Sequence, residues 1–116
     1  MFVSRLPSLN FYGHNKGLLN KIDTDFYTGK YIKRKDRSIE HIIPRSKGGK
    51  NDLFNYAVTH KDLNNQRGNM DMKQWLQIHP EFLENMQKFA RKYFDRIING
   101  RRYGEGISKT IDRVTK

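Results

Sequence analysis

The sequence contains no cysteine among its 116 residues, so disulfides and thiolate metal sites are excluded. This absence fits an intracellular protein, which is the location we expect. Apolar residues are also few, because 35% of the chain is hydrophobic and 30% is charged. Such a composition predicts one domain with a small core. No apolar run approaches the roughly 20 residues that a membrane span needs, and we expect no membrane partner.

Acidic residues are scarce as well. Lys and Arg number 23 against 12 Asp and Glu, which gives a formal net charge of +11. An excess this large in a small protein favours a polyanionic partner, and nucleic acid is the first candidate. An anionic membrane surface would call for a basic amphipathic helix, which the pattern does not show. The remaining alternative is a soluble basic protein with no specific polyanion.

Residues 40–69 concentrate the local structure signals. Pro44 cannot donate a ladder hydrogen bond and should end a strand. The glycine pair 48–49 favours a turn. Thr59 is the expected cap of a helix that Gly68 ends. The predicted order is a strand over 38–43, a turn over 46–50, a second strand over 55–58 and a helix over 59–67.

This order brings a histidine, a carboxylate and a carboxamide near one another. The imidazole of His41 can take a proton from water near neutral pH. The oxygens of Glu40 and Asn64 suit a hard cation such as Mg²⁺, which can stabilise the leaving oxygen of a phosphodiester. Strand alternation places Glu40 and His41 on opposite faces. The two can therefore serve one site only where the strand ends or bends.

The same stretch resembles the HNH endonuclease motif of the ββα-metal fold. The resemblance covers residues 25–69, under half of the chain, and with these spacings it is specific. It implies an α+β protein with a small ββα-metal core. The matching residues are Glu40-His41-Ile42-Ile43-Pro44, Ser46-x-Gly48-Gly49, Asn55 and Asn64-x-x-Arg67-Gly68-Asn69.

The resemblance also implies roles for these residues. His41 is then the general base that activates water, and Asn55 pins the loop that orients it. Glu40 and Asn64 hold one divalent metal, Mg²⁺ first and Mn²⁺ as the alternative. Arg67 stands where the family places a basic residue near phosphate.

Some positions depart from the family pattern. Glu40 stands where Asp is common, and Asn64 stands where His often occurs. Many relatives also carry two cysteine pairs that bind a structural zinc. Because this chain has no cysteine, we expect no structural zinc, and packing should replace it. The corresponding positions are Asp25, Thr28, His60 and Leu63.

Basic side chains near the motif are candidates for phosphate contact. One group belongs to a basic run that precedes the first strand, and another surrounds the glycine turn. The alternative is that these charges only solvate two turns. The predicted contacts are Arg34, Lys35, Arg45, Lys47, Lys50 and Arg67.

The pattern in the C-terminal half predicts a helical extension over 71–99, with a cap at Asp71 and a break at Pro80. Apolar residues over 81–99 recur at three and four, which predicts a long helix packed on the motif or, alternatively, a dimer face. Residues 101–116 carry a net charge of +3 and two glycines, so we expect a basic flexible tail. The predicted domain thus spans 1–100.

The combined hypothesis is a metal-dependent DNA endonuclease that either nicks or cuts both strands, with RNA left open as a substrate. The main alternative is a non-catalytic nucleic-acid-binding module that retains the HNH fold. A third class is a toxin-like nuclease with its own inhibitor. The sequence leaves both a monomer and a homodimer possible.

Overall fold

The computed structural model describes residues 17–116, and the first part of the predicted domain lies outside them. Helices and short antiparallel strands share the chain, which confirms the α+β class. No helix within residues 17–116 is long and apolar enough to cross a membrane. The elements are β1 (Arg37–His41), β2 (Tyr56–His60), α1 (Lys61–Arg67), α2 (Met72–Ile78), α3 (Phe82–Lys92), β3 (Ile97–Ile98), β4 (Arg101–Arg102) and α4 (Tyr103–Thr115).

The β1–β2 hairpin followed by α1 forms the ββα unit. The strands pair antiparallel, with His41 opposite Tyr56. The predicted cap at Thr59 is wrong, because Thr59 belongs to β2 and donates its hydroxyl to Asp25 at 2.8 Å. His60 caps α1 instead, and its ring accepts the backbone N–H of Asp62. Thr59 is β-branched and has a buried acceptor, Asp25, so the strand is favoured over the cap.

A buried carboxylate joins the turn before β1 to the end of β2. Asp25 is 2% exposed and accepts four hydrogen bonds. The donors are the N–H groups of Tyr27 (2.8 Å), Thr28 (3.4 Å) and His60 (3.2 Å), together with the Thr59 hydroxyl (2.8 Å). These segments are the ones that zinc joins in cysteine-bearing relatives. Hydrogen bonding to one carboxylate therefore joins these segments in this chain.

Aromatic packing connects the ββα unit to the helices that follow. The Phe26 ring meets Phe89 of α3 at 5.1 Å between centroids, and the Tyr27 ring stacks on Phe82 at 5.2 Å. The apolar stripe predicted for the long helix is buried inside the chain at Phe82, Met86, Phe89 and Ala90. The predicted cap at Asp71 is confirmed, since its side chain accepts the N–H of Lys73.

The long helix is shorter than predicted. It ends at Lys92 rather than 99, and β3 and β4 follow as a small hairpin. Asn99 and Gly100 form the turn with φ values of 52° and 75°. Two successive positive φ values are typical of the type I′ turn that Asn-Gly prefers. We had taken Gly100 only as a helix stop and overlooked the dipeptide.

The flexible tail expected over 101–116 is instead β4 and the helix α4. Its glycines serve close packing, because a Cβ at Gly104 would overlap Ala90 and one at Gly106 would overlap the Phe54 ring. The Tyr103 hydroxyl donates to the Tyr56 carbonyl at 2.6 Å. Helix α4 therefore packs against the chain that enters β2.

Candidate active site and nucleic-acid interface

The candidate site lies where β1 ends. Glu40, His41 and Asn64 line one open cavity of about 330 Å³, with Arg45 at its margin. Glu40 is 3% exposed, whereas His41 is only partly buried. Because β1 stops at His41, side chains that diverge along an ideal strand reach the same cavity.

The Glu40 carboxylate is held by two donors. Its Oε2 accepts the Tyr27 hydroxyl at 2.6 Å and Arg67 Nη1 at 3.2 Å. Burial raises the pKa of Glu40, and the Arg67 guanidinium and the Tyr27 hydroxyl oppose that rise. Burial also raises the pKa of Tyr27 well above its ordinary value, and the Glu40 charge adds to the effect. Tyr27 therefore remains a protonated donor to this carboxylate.

Arg67 points into the protein rather than towards solvent. Besides Glu40, its guanidinium donates to the carbonyls of His41 and Ile42, each at 2.9 Å, and to that of Met70 at 3.0 Å. Its side chain is fully buried. The predicted contact between Arg67 and phosphate is therefore wrong for this arrangement. The arginine fixes Glu40 and the end of β1, because the carbonyls there need donors once they are buried.

The His41 ring is oriented by a residue that the sequence analysis missed. Its Nε2 lies 3.2 Å from Asn51 Oδ1, and its ring meets Tyr56 edge-on at 5.1 Å. A carboxamide oxygen only accepts, so Nε2 is the donor and Nδ1 is left as the proton acceptor. The sequence signal for this residue is a single amide in the loop after His41. That signal is too weak to assign a role without the tertiary structure.

Asn55 closes the loop between the strands. Its Oδ1 accepts the N–H of Ile43 at 2.8 Å, and its Nδ2 donates to the carbonyls of Ile43 and Lys50, each at 3.0 Å. Asn55 does not line the His41 cavity. We had placed it with the catalytic residues, and these contacts make it a positioning residue.

A divalent cation at this cavity would rest on few protein ligands. Within residues 17–116, no cluster joins three or more His, Cys, Asp or Glu side chains. Asn64 donates its Nδ2 to the Ile39 carbonyl and the Ser38 hydroxyl, and its Oδ1 accepts nothing from the described residues. One carboxylate and one carboxamide oxygen fit Mg²⁺, which keeps several waters and shares substrate oxygens.

The predicted phosphate-contacting residues divide into two groups. Arg45, Lys47 and Lys50 are exposed on the loop after β1, and of these Arg45 lines the cavity. Arg34 and Lys35 precede β1 and lie at its opposite end from His41, about 15 Å away for a five-residue strand. Of these five residues, the structure therefore brings only Arg45 into the lining of the cavity.

The hairpin, the helix and the polar cavity define a small α+β protein built on a ββα unit. Residues 25–71, under half of the chain, match the family model described as HNH endonuclease. The match supports the resemblance to the HNH family that the motif residues indicated. It indicates a nuclease, and such nucleases act on nucleic acids and typically use a divalent metal. No curated protein and no solved structure matches the chain.

Proposed function

We propose that the chain is a metal-dependent endonuclease that hydrolyses phosphodiester bonds in DNA. The observation that carries this proposal is the shared cavity of Glu40, His41 and Asn64 at the end of β1. The net charge of +11 supports a polyanionic substrate. The family match supports the nuclease class.

In this proposal His41 is the general base. Its Nδ1 takes a proton from a water aligned with the scissile phosphorus, while Asn51 on Nε2 keeps the tautomer and the ring orientation. Asn51→Ala should slow cleavage about 10-fold at saturating DNA, in the range found for groups that orient a catalytic ligand. An unchanged rate would remove Asn51 from this role.

Glu40 and Asn64 would hold one divalent cation, Mg²⁺ or Mn²⁺. When bound, the cation supplies positive charge that stabilises the leaving 3′-oxygen. Arg67 and Tyr27 keep the carboxylate of Glu40 at the cavity. Because Arg67 offsets the one negative charge at this place, we expect weak cation binding until the phosphate of the nucleic acid adds its oxygens.

The proposed reaction is the hydrolysis of one phosphodiester bond. The water oxygen forms a bond to phosphorus and one proton of the water passes to His41. The bond from phosphorus to the 3′-oxygen breaks, and this oxygen takes up a proton from solvent. The products carry a 5′-phosphate and a 3′-hydroxyl. One cavity cuts one strand, so a double-strand break would need a second copy of the site.

Supercoiled plasmid tests the proposal directly. With Mg²⁺ or Mn²⁺ we expect conversion to open circle, lost in EDTA and in His41→Ala. Direct linear product would indicate paired sites. Equal cleavage by His41→Ala and the unsubstituted protein would exclude His41 as the base. The same incubation with RNA of equal length compares the two substrates.

One observation favours the second candidate, a nucleic-acid-binding module without turnover. The single carboxylate of the cavity already pairs with Arg67. Such a module would shift DNA in a gel in a salt-sensitive way and leave the plasmid intact at every metal concentration.

A further inference from the structure

A second and larger cavity lies on the other side of the loop over 43–50. It measures about 600 Å³ and shares no lining residue with the catalytic cavity. Three segments build it: the loop at Gly48 and Lys50, the turn at Phe54, and helix α4 at Lys109 and Arg113. Gly48, Gly49 and Asn55 of the motif line one side of this cavity, whereas the α4 side lies outside the motif.

The charge of this cavity is positive. Lys50, Lys109 and Arg113 line it and are exposed, and the acidic residue there, Asp52, is paired with Arg101 at 3.2 Å. Lys109 has only a loose exposed pairing at 3.8 Å with Glu105. Lys50 and Arg113 form no ion pair with a carboxylate in the described part of the chain. Lys50 and Arg113 are therefore available to an external anion, and Lys109 is held only loosely by Glu105.

These cations stand on elements held in fixed positions. Asn55 donates to the carbonyl of Lys50. On the helix, the Thr110 hydroxyl donates to the Phe54 carbonyl at 2.7 Å. Lys109 and Arg113 are one turn apart on α4, about 6 Å along its axis. That separation spans about two phosphates of a nucleic-acid strand, which rises roughly 3.4 Å per phosphate.

We propose that this cavity and the Lys109–Arg113 face of α4 bind the phosphate backbone of the nucleic acid next to the cleaved bond. The strand would cross the basic loop from the catalytic cavity to α4. This inference rests on the proposed function, because it extends the substrate path of that same site. Nucleic acid fits better than a single small anion, since the cations are spread over a cavity and a helix turn.

The test compares two double variants with equal charge change. Lys109→Gln with Arg113→Gln removes the α4 pair. Lys88→Gln with Arg91→Gln removes an exposed Lys and Arg from α3, away from both cavities. The control is matched closely, because Lys88 also has an exposed acidic partner one turn away, Glu84, at 3.6 Å.

Binding is measured by fluorescence anisotropy with a labelled DNA duplex in EDTA, so that no turnover occurs. We expect the α4 variant to bind about 10-fold more weakly and to lose about 2 from the slope of log Kd against log salt. The α3 variant should change Kd less than about 3-fold, by the general charge effect alone. Equal losses in the two variants would overturn the proposal.

Failure of the second binding site can be distinguished from failure of the proposed nuclease function. Unsubstituted protein that binds DNA in EDTA, needs the α4 pair and never cleaves would support the second site and overturn the nuclease. Plasmid cleavage that the α4 variant retains at low DNA concentration, with an unchanged Kd, would overturn the second site and support the nuclease. If the double variant does not fold, Arg113→Gln alone should reduce the salt slope by about 1.

Discussion

Two buried carboxylates in this protein are used differently. Asp25 and Glu40 are 2% and 3% exposed, and both accept a hydrogen bond from Tyr27, one from its backbone and one from its hydroxyl. Asp25 is surrounded by neutral donors from the turn and from β2. Glu40 has a charged donor, Arg67, and lines the candidate catalytic cavity.

The difference shows how a buried charge can be compensated. A carboxylate without partners is costly to bury, so each of these needs donors. Asp25 uses both oxygens for four hydrogen bonds, and the result is a fixed junction between chain segments. Glu40 relies on Arg67 and Tyr27 and keeps a position at a cavity open to solvent. We therefore expect Asp25 to govern stability and Glu40 to govern cleavage.

The largest effect should come from Glu40→Gln. The amide keeps the shape and can still accept from Arg67, but it lacks the charge that would hold a cation. We expect cleavage about 1,000-fold slower, or about 4 kcal/mol in the barrier, measured by single-turnover plasmid assays. A thermal melt of the variant gives its folded fraction, so that the cleavage rate can be expressed per folded molecule. Cleavage within about 3-fold of the unsubstituted protein would contradict the assignment of Glu40.

Asp25→Ala should instead lower the free energy of unfolding by about 3 kcal/mol. It strands the backbone N–H groups of Tyr27 and His60 and the Thr59 hydroxyl, and each buried donor costs about 1 kcal/mol or more. Urea unfolding measures the change. The exposed Asp112→Ala on α4 is the control and should stay within about 0.5 kcal/mol. A loss of cleavage in the folded fraction of Asp25→Ala would contradict the separate roles of Asp25 in stability and Glu40 in cleavage.

Tyr27→Phe should have a smaller effect on the same network. It removes the donor to Glu40 and an acceptor for Arg67 at 3.2 Å while keeping the aromatic packing. We expect a loss of about 1.5 kcal/mol in the free energy of unfolding. Tyr31→Phe provides the matched control, because that ring is 69% exposed. Equal stability of the two variants would show that the phenol contributes nothing at Glu40.

The smallest expected effect is a dependence on pH. Burial raises the pKa of Glu40 in the folded protein above its ordinary value of 4.5, so the folded state binds the proton more tightly than the unfolded state. The stability linked to this proton is present below 4.5 and is lost as pH rises through the folded pKa. Between acidic and neutral pH, the unsubstituted protein should therefore lose stability relative to Glu40→Gln, as urea titrations can measure. A shift in the opposite sense would mean that Arg67 outweighs burial.

The sequence was sufficient where local patterns decide the structure. Pro44, the glycine turn and the following polar helix predicted a hairpin and a helix that bring Glu40, His41 and Asn64 to one place. Each of these signals acts over a few residues. The Asn99-Gly100 turn belongs to the same class, and we missed it because the apolar pattern continued up to it, at Ile97 and Ile98.

The sequence did not show in the same way where a side chain points or which distant residues it contacts. The sequence near Arg67 does not show that its side chain turns inward, because its acceptors on β1 and the chain after it lie 25 to 27 residues away. The Met70 carbonyl, three residues away, is a local acceptor but does not fix that direction. The glycines of α4 suggested flexibility because their packing partners, Ala90 and Phe54, are distant in sequence. A buried polar network depends on which segments meet, and composition does not contain that information.

The docking of α4 also constrains the order of folding. Its contacts to the chain before and in β2 join residues 47 and 56 positions apart, as in Tyr103 to Tyr56 and Thr110 to Phe54. The β1–β2 hairpin closes over a much shorter loop, so it can form early, whereas long-range docking comes late because loop closure costs entropy. The turn that carries Phe54 gains its contact with α4 only at that later step. The loop beside the candidate catalytic cavity should therefore gain its support from α4 after the hairpin has formed.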